Sequence, residues 1–212
     1  MEKKQKCLIS AGPTREWIDP VRFISNPSSG KMGYSLARQA RDSNFEVQLI
    51  SGPVSLVAPS GISIEKVETA EEMRLAMHTN FPSADLIIMC AAVCDHRPKV
   101  RQFEKIKKDV FPNEIDLVST TDILMELGKI KKESQILVGF AAETENWKQN
   151  AIIKMKKKNL DWIALNDVSR KNIGFGSDYN ELTMFSSNQK KVKFDCARKE
   201  ILAKKILELI TE

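Results

Sequence analysis

Asp85–Val93 reads DLIIMCAAV: one aspartate, then eight apolar residues without interruption. A run of strand length that does not alternate suits a central parallel strand in a sheet covered by helices on both faces. Two more buried runs follow, Gln135–Ala142 (QILVGFAA) and Leu160–Leu165. Upstream, Cys7–Ala11 predicts a short buried strand ending at Gly12-Pro13, Glu46–Ser51 an alternating strand ending at Gly52-Pro53, and Ile62–Val67 another. Between them lie segments of helical spacing. Lys31–Arg41 puts Met32, Leu36 and Ala40 on one side, and a helix from Thr69 or Ala70 to Met77 carries Glu71 and Glu72 in its first turn, where the helix dipole favours them. Thr121–Lys131 is helical with Thr120 or Thr121 as N-cap, and Asn146–Asn159 is a basic helix.

Strand and helix thus alternate over the first 165 residues. That order predicts an α/β fold, a doubly wound, mostly parallel, Rossmann-like sheet with helices on both faces. The tail breaks the alternation. Asn180–Phe185 and Lys191–Phe194 flank Ser186-Ser187-Asn188-Gln189 and read as a C-terminal antiparallel hairpin, followed by an amphipathic helix over Ala197–Ile210. Residues 1–212 make one expected domain, with the hairpin 180–194 packed onto it.

Composition sets the outer limits. The 212 residues carry a net charge of +5, too mild an excess to point to nucleic acid and equally suited to phosphate-rich substrates. No apolar run approaches the roughly 20 residues of a membrane span, and no secretory signal is visible. The four cysteines hold no C-x2-C pair and find only His78 and His96 as histidines, so a reducing, cytoplasmic setting is expected rather than a disulfide or zinc framework.

In an open parallel sheet, ligands bind beyond the C-terminal strand ends. After the first strand the chain takes about 20 residues to reach a helix, where a few are typical. This stretch ends in Ser28-Ser29-Gly30-Lys31-Met32-Gly33. Hydroxyls and glycine at a helix start offer free N–H groups to phosphate; capping of the helix by Ser29 is the plainer alternative. Neither G-x4-G-K-S/T nor G-x-G-x-x-G is present. Asp95, just past the DLIIMCAAV run, suits a ribose hydroxyl or a phosphate-bound metal, or simply a turn cap. Lys105, Lys107 and Lys108, and later Lys154 and Lys156–Lys158, suit phosphates or a solvated face. Lone His96 has many structural uses, and Cys94 lacks another base partner, so covalent catalysis is not expected.

Taken in order, SAGPTRE (Ser10–Glu16), IDPVRFISN (Ile18–Asn26), SSGKMG (Ser28–Gly33), SGPV (Ser51–Val54), AAVCDHRP (Ala91–Pro98), KIKK (Lys105–Lys108), TDIL (Thr121–Leu124), VGFAAET (Val138–Thr144) and NDVS (Asn166–Ser169) resemble the phosphopantothenate–cysteine ligase family, the ligase half of bacterial bifunctional proteins. The resemblance covers almost the whole chain. It implies activation of 4′-phosphopantothenate as an acyl-nucleotidylate with release of pyrophosphate, then amide formation with L-cysteine. It also implies roles. Asn26 and Lys105 are the catalytic pair, Asn26 touching the acyl group, where its amide suits donation to an oxygen gaining charge. Arg22, Asn26, Ala91 and Ala92 face phosphopantothenate. Met89, Cys90, Ala91, Asp95, Lys105, Thr121, Asp122, Ile123, Leu124, Phe140, Lys154 and Lys158 face the nucleotide, the last two on one helix face by their i, i+4 spacing. CTP is the nucleotide of the branch resembled most, with ATP the alternative; Mg2+ accompanies it, Asp95 being its one candidate protein ligand. A non-catalytic nucleotide- or flavin-binding module is the reading from another class. The ligase motifs begin a few residues after Met1, so no flavin and no decarboxylase activity are expected. Family members are dimers, so a homodimer is expected, paired through the hairpin. Cys94 and His96 stand where the family often has alanine and an aromatic.

Overall fold

A computed structural model describes residues 4–143, 147–167 and 176–212 of the chain. In chain order the strands and helices are β1 (Lys6–Ala11), β2 (Arg15–Asp19), β3 (Arg22–Ser25), α1 (Lys31–Asp42), β4 (Glu46–Ser51), β5 (Ser63–Lys66), α2 (Ala70–Asn80), β6 (Leu86–Met89), β7 (His96–Pro98), β8 (Leu117–Ser119), α3 (Ile123–Ile130), β9 (Ile136–Glu143), α4 (Trp147–Lys157), β10 (Trp162–Asp167), β11 (Tyr179–Ser186), β12 (Lys191–Arg198) and α5 (Lys199–Thr211). Thr144, the expected helix start at Asn146, and Val168-Ser169 of the last motif lie outside the described residues.

Eight strands form the main sheet in the order β12-β11-β10-β9-β6-β1-β4-β5. The six from β10 to β5 are parallel. Consecutive core residues point to opposite faces, as the strand period of two requires. Ile9, Ile88, Val138 and Ala164 pack with Leu36 of α1 and Leu202 and Ile206 of α5. Their neighbours Leu8, Ile87, Leu137 and Ile163 pack on the other face with Met73 of α2, Leu127 of α3 and Met155 of α4. This two-sided burial is why the apolar runs do not alternate, and it is the mostly parallel α/β sheet expected.

The C-terminal antiparallel hairpin is present and joins the sheet: β11 pairs antiparallel with β10, and β12 with β11. Three expectations need correction. The run DLIIMCAAV is not all strand; β6 stops at Met89, and Cys90–Val93 leaves the sheet as backbone at its C-terminal edge. Helix α3 is capped by Asp122, whose carboxylate accepts from Met125 N at 3.0 Å, not by Thr120 or Thr121. The long segment after β1 is not bare loop: β2 and β3 form an antiparallel hairpin within it.

Strand order reverses at β1. The chain builds β4 and β5 to one side of it, then crosses to β6, β9 and β10 on the other. The crevice beyond β1 and β6 is therefore the switch point where such sheets bind ligands.

Candidate functional site

At that crevice lies a cavity of about 360 Å3. The β2–β3 hairpin delivers Asn26 to it through a chain of buried ties. Glu16 is almost fully buried, and its carboxylate accepts from Ala70 N, the first residue of α2, at 2.8 Å. Burial raises its pKa, against the opposing bonds from Ala70 and Thr14 and the charge of Arg97. Thr14 accepts from Cys94 N at 2.9 Å, and Ser25 donates to Thr14 O at 2.7 Å. Ala92 continues the alignment past the strands, donating to Gly12 O at 2.8 Å and accepting from Thr14 N at 3.3 Å. Asn26, half-buried, closes the arrangement: its Nδ2 donates to Ala92 O at 3.3 Å and to Val93 O at 3.0 Å.

The turn into α1 forms the next wall. Gly30 sits at the N-cap with φ 74°, a conformation that favours glycine, and no side chain caps the helix. Ser29 therefore does not cap α1. Ser28, Ser29, Gly30 and Lys31 line the cavity instead, at the positive end of the α1 dipole. Across the sheet, Thr121–Leu124 at the start of α3, Phe140 of β9, and Lys154 and Lys158 of the α4 segment complete the lining. Lys154 and Lys158 are half-buried while Lys156 and Lys157 are exposed, so the i, i+4 pair lies on the inward side of the segment. Lys158 pairs with Asp122 at 2.8 Å.

Of the residues singled out from sequence, Asn26, Met89, Cys90, Ala91, Ala92, Asp95, Thr121, Asp122, Ile123, Leu124, Phe140, Lys154 and Lys158 all line this one cavity. Asp95 is exposed, and its carboxylate makes no hydrogen bond among the described residues, so it caps no turn there. Arg22 and Lys105 do not line the cavity. Arg22 is tied to Asp19 at 2.5 Å, lies over the Phe111 ring at 4.3 Å, and donates to Ile106 O at 3.3 Å. Lys105 is exposed on the segment between β7 and β8, one residue before Ile106, whose N–H donates to Asp19 at 3.3 Å. Cys94 is buried, and desolvation raises its thiol pKa, as suits a packing residue rather than a nucleophile.

Sequence reading missed Lys199. It opens α5, is 6% exposed, and lines the cavity together with Lys31, Asn166 and Asn180. Burial lowers its pKa; the charge of Lys31 lowers it further, while Cys90 and Asp178 act against the shift. Lys31 itself pairs with Asp178 at 2.5 Å. A lysine one residue past a strand, in a helix otherwise read as amphipathic surface, gives no signal of burial. Only the closing of α5 onto α1 exposes its role.

Cations thus reach the cavity from both faces of the sheet, small residues hold its floor, and a carboxamide marks one end. Such a site suits a molecule with several phosphates and a compact reacting centre. The sequence matches the family described as "DNA/pantothenate metabolism flavoprotein C-terminal domain" over residues 2–212. The chain belongs to that family. It is 49% identical over 179 residues to the coenzyme A biosynthesis bifunctional protein CoaBC of Bacillus subtilis, covering 84% of this chain and 44% of that protein. With CoaBC of Escherichia coli K12 it shares 42% identity over 211 residues, 98% of this chain and 52% of the relative. A protein named cysteine/cysteine sulfinic acid decarboxylase is 43% identical over 98% of this chain and 58% of its own length. The chain spans about half the length of these curated relatives. Among solved structures, the C-terminal domain of a CoaBC protein superposes with a TM-score of 0.83 at 39% identity, covering 97% of this chain and 93% of that one. The fold is also that of a Cab2 mutant in complex with phosphopantothenate-cysteine, TM-score 0.76 at 16% identity, over 98% of this chain and 86% of that one.

Proposed function

We propose that this chain is a phosphopantothenate–cysteine ligase domain of coenzyme A biosynthesis, acting in the cytoplasm. It activates 4′-phosphopantothenate with CTP to an acyl-cytidylate, releasing pyrophosphate, and passes the acyl group to the amine of L-cysteine, giving 4′-phosphopantothenoyl-L-cysteine and CMP. One observation carries the reading: residues from separate loops and helices, most of them from the ligase motifs, converge on a single cavity at the switch point. The CoaBC relatives support it. The cavity's cations and small residues suit phosphates, which favours ligation over the decarboxylation named in one relative.

The chemistry asks for charge neutralisation and positioning more than for covalent help. Lys154, Lys158, Lys31 and the uncapped start of α1 receive phosphates; Phe140 and Thr121–Leu124 hold the nucleoside. Lys105 reaches the phosphates when its segment closes, and Arg22 serves the phosphopantothenate side. Mg2+ fits as an ion carried by the triphosphate. The cavity offers only two carboxylates among the described residues, and Asp122 is engaged by Lys158 and Met125 N, which leaves Asp95. Neutralising phosphate charge is what that ion supplies.

A homodimer is part of the proposal, through a different face from the one expected. Val21, Phe23, Val100, Phe103, Val110 and Leu117 are exposed apolar side chains on β3, its turn, β8 and the segment between β7 and β8. Gln102 N donating to Ile18 O joins these parts into one surface beside the cavity. Light scattering at micromolar concentration reads the assembly, and a monomer overturns it. The decisive assay of function is pyrophosphate release on mixing protein, phosphopantothenate and CTP with Mg2+. Release, followed by cysteine-dependent amide, is expected; higher efficiency with ATP overturns the base assignment, and no release with either overturns the ligase reading.

A further inference from the structure

A second cavity, of about 330 Å3, lies against the first, and Lys31 and Lys199 line both. Its walls are the side of α1 and the start of α5. On α1, Lys31, Ser35 and Arg38 follow at i, i+4 and i+7, so they make one stripe along the helix. On α5, Arg198 is the N-cap residue and Lys199 the first of the helix, and no side chain caps it. Four cations thus line the cavity against two carboxylates, those of Asp178 and Glu200. Each carboxylate holds one of the cations: Asp178 pairs with Lys31 at 2.5 Å, and Glu200 with Arg38 at 3.6 Å. Arg38 also donates to Ser35 Oγ at 3.2 Å, which keeps its guanidinium against the cavity wall. Both carboxylates are exposed. Ion pairs of exposed side chains are weak, so an anion of higher charge displaces these carboxylates readily. The first cavity accounts for nucleoside, triphosphate and acyl group, and none of those roles uses Arg38 or Arg198.

We propose that the second cavity binds pyrophosphate and is the route by which that product leaves. The inference rests on the ligase reading above. In the first half-reaction a carboxylate oxygen attacks the α-phosphorus of CTP. The bond from that phosphorus to the bridging oxygen breaks, and pyrophosphate departs with the bonding electrons. The acyl-cytidylate still fills the first cavity, where cysteine must also enter. Pyrophosphate held beside it is placed to reverse the step. Lys31 and Lys199 line both cavities, so the anion crosses the boundary without losing its countercharge. As it crosses, Lys31 exchanges Asp178 for pyrophosphate, and Arg38 and Arg198 take up the charge beyond. Once the anion has gone, Asp178 regains Lys31 and the boundary is reset.

Equilibrium dialysis of the full chain with labelled pyrophosphate and Mg2+, in the absence of phosphopantothenate, counts the sites. Pyrophosphate alone should bind at both cavities, and under saturating CTP, which fills the first, it should still bind at the second. Arg38→Gln and, independently, Arg198→Gln each remove a charge-assisted bond and weaken the CTP-resistant binding by about 10-fold or more. Arg38→Lys, which keeps the charge, restores most of it. Complete displacement by CTP, or CTP-resistant binding that both glutamine variants leave intact, overturns the inference. Inorganic phosphate tests the ligand: if it displaces pyrophosphate from the second cavity at equal concentration, the site takes any phosphate and the exit role is overturned. The exit itself is read in a single turnover, comparing acyl-cytidylate in acid-quenched samples with free pyrophosphate from a coupled enzyme. In Arg38→Gln free pyrophosphate should trail the intermediate, released about 10-fold more slowly than from the unchanged protein; release as prompt as in the unchanged protein overturns the route. Failure of the unchanged protein to form acyl-cytidylate strikes the ligase reading instead and leaves the binding count standing, so the two failures are distinct.

Discussion

Replacing Lys199 by methionine tests whether that buried cation belongs to the site or to the scaffold. Lys199 is 6% exposed, and its surroundings lower its pKa, through burial first and then the charge of Lys31. A lowered lysine pKa means that the fold holds the charged form less well than water holds it in the unfolded chain. Lys199→Met keeps the length and apolar stem and removes the charge, so it raises stability, by about 1 kcal/mol. For a chain of this size that lifts Tm by about 2–4 °C. The sign with pH follows. Between the folded pKa and the unfolded value near 10.5 the unfolded chain binds the extra proton, so wild-type stability climbs with pH in that window. The advantage of Lys199→Met is thus full near neutrality and shrinks as the pH rises through the window. Activity moves the other way: loss of one charge-assisted bond to phosphate raises KM for the nucleotide about tenfold or more. Thermal melts from pH 7 to 10.5, beside pyrophosphate-release kinetics, read both arms. A variant that melts lower than wild type with KM unchanged refutes the reasoning and makes Lys199 a scaffold residue.

Asp122→Ala removes both the α3 cap and the partner of Lys158, at a cost of about 1–2 kcal/mol in urea unfolding, whereas Asp122→Asn keeps a capping oxygen and loses under about 0.5 kcal/mol. Equal losses in the two would mean that the ion pair, not the cap, carries the effect. Asp19 is buried by residue exposure, and although desolvation opposes it, bonds from Val21 N and Ile106 N and the charge of Arg22 lower its pKa. A depressed carboxylate stabilises above its unfolded pKa near 3.8 and stops doing so as pH falls through the folded value, so proteolysis of the segment around Ile106 accelerates in that acid range; Asp19→Asn makes it fast at neutral pH as well. CTP with Mg2+ should protect the Lys105–Val110 segment from protease, and identical cleavage with and without nucleotide removes the closing motion assigned to it. Gly128→Ala sets a methyl 1.9 Å from Lys158 O, so α3 and the end of α4 must part; a fall of more than about 2 kcal/mol is expected in the same unfolding assay, together with weaker nucleotide binding.

The parallel core was legible because its chemistry is local. Leu86–Met89 and Ile136–Ala141 are apolar at every position, a pattern that only strands buried on both faces require. The ends of the runs were not legible. Cys90–Val93 is as apolar as what precedes it, yet β6 ends at Met89, and beyond it Ala92 pairs again only in an isolated parallel bridge with Pro13. The β2–β3 hairpin hid for a related reason. Its strands are five and four residues long, too short for alternation to show, and its anchors are side chains distant in sequence: Glu16 on α2, Asp19 on the segment at Ile106. The tail hairpin was visible as two strands, but pairing of β11 with β10 depends on Asn166–Trp162 register, which no local pattern encodes.

The site divides along the same line, and the division bears on mechanism. The family resemblance, rather than residue type alone, picked out residues that the fold gathers at one cavity: Lys154 and Lys158 with their i, i+4 spacing, and Ala91 and Ala92 beyond β6. Residue type could not say which atom of a side chain works. An asparagine read from sequence offers donor and acceptor alike, and donation is the natural assignment beside an acyl oxygen. In the structure its Nδ2 donates to the carbonyls of Ala92 and Val93. They belong to the stretch beyond β6, so one local event, the end of that strand at Met89, both builds the cavity floor and holds the Asn26 carboxamide in place.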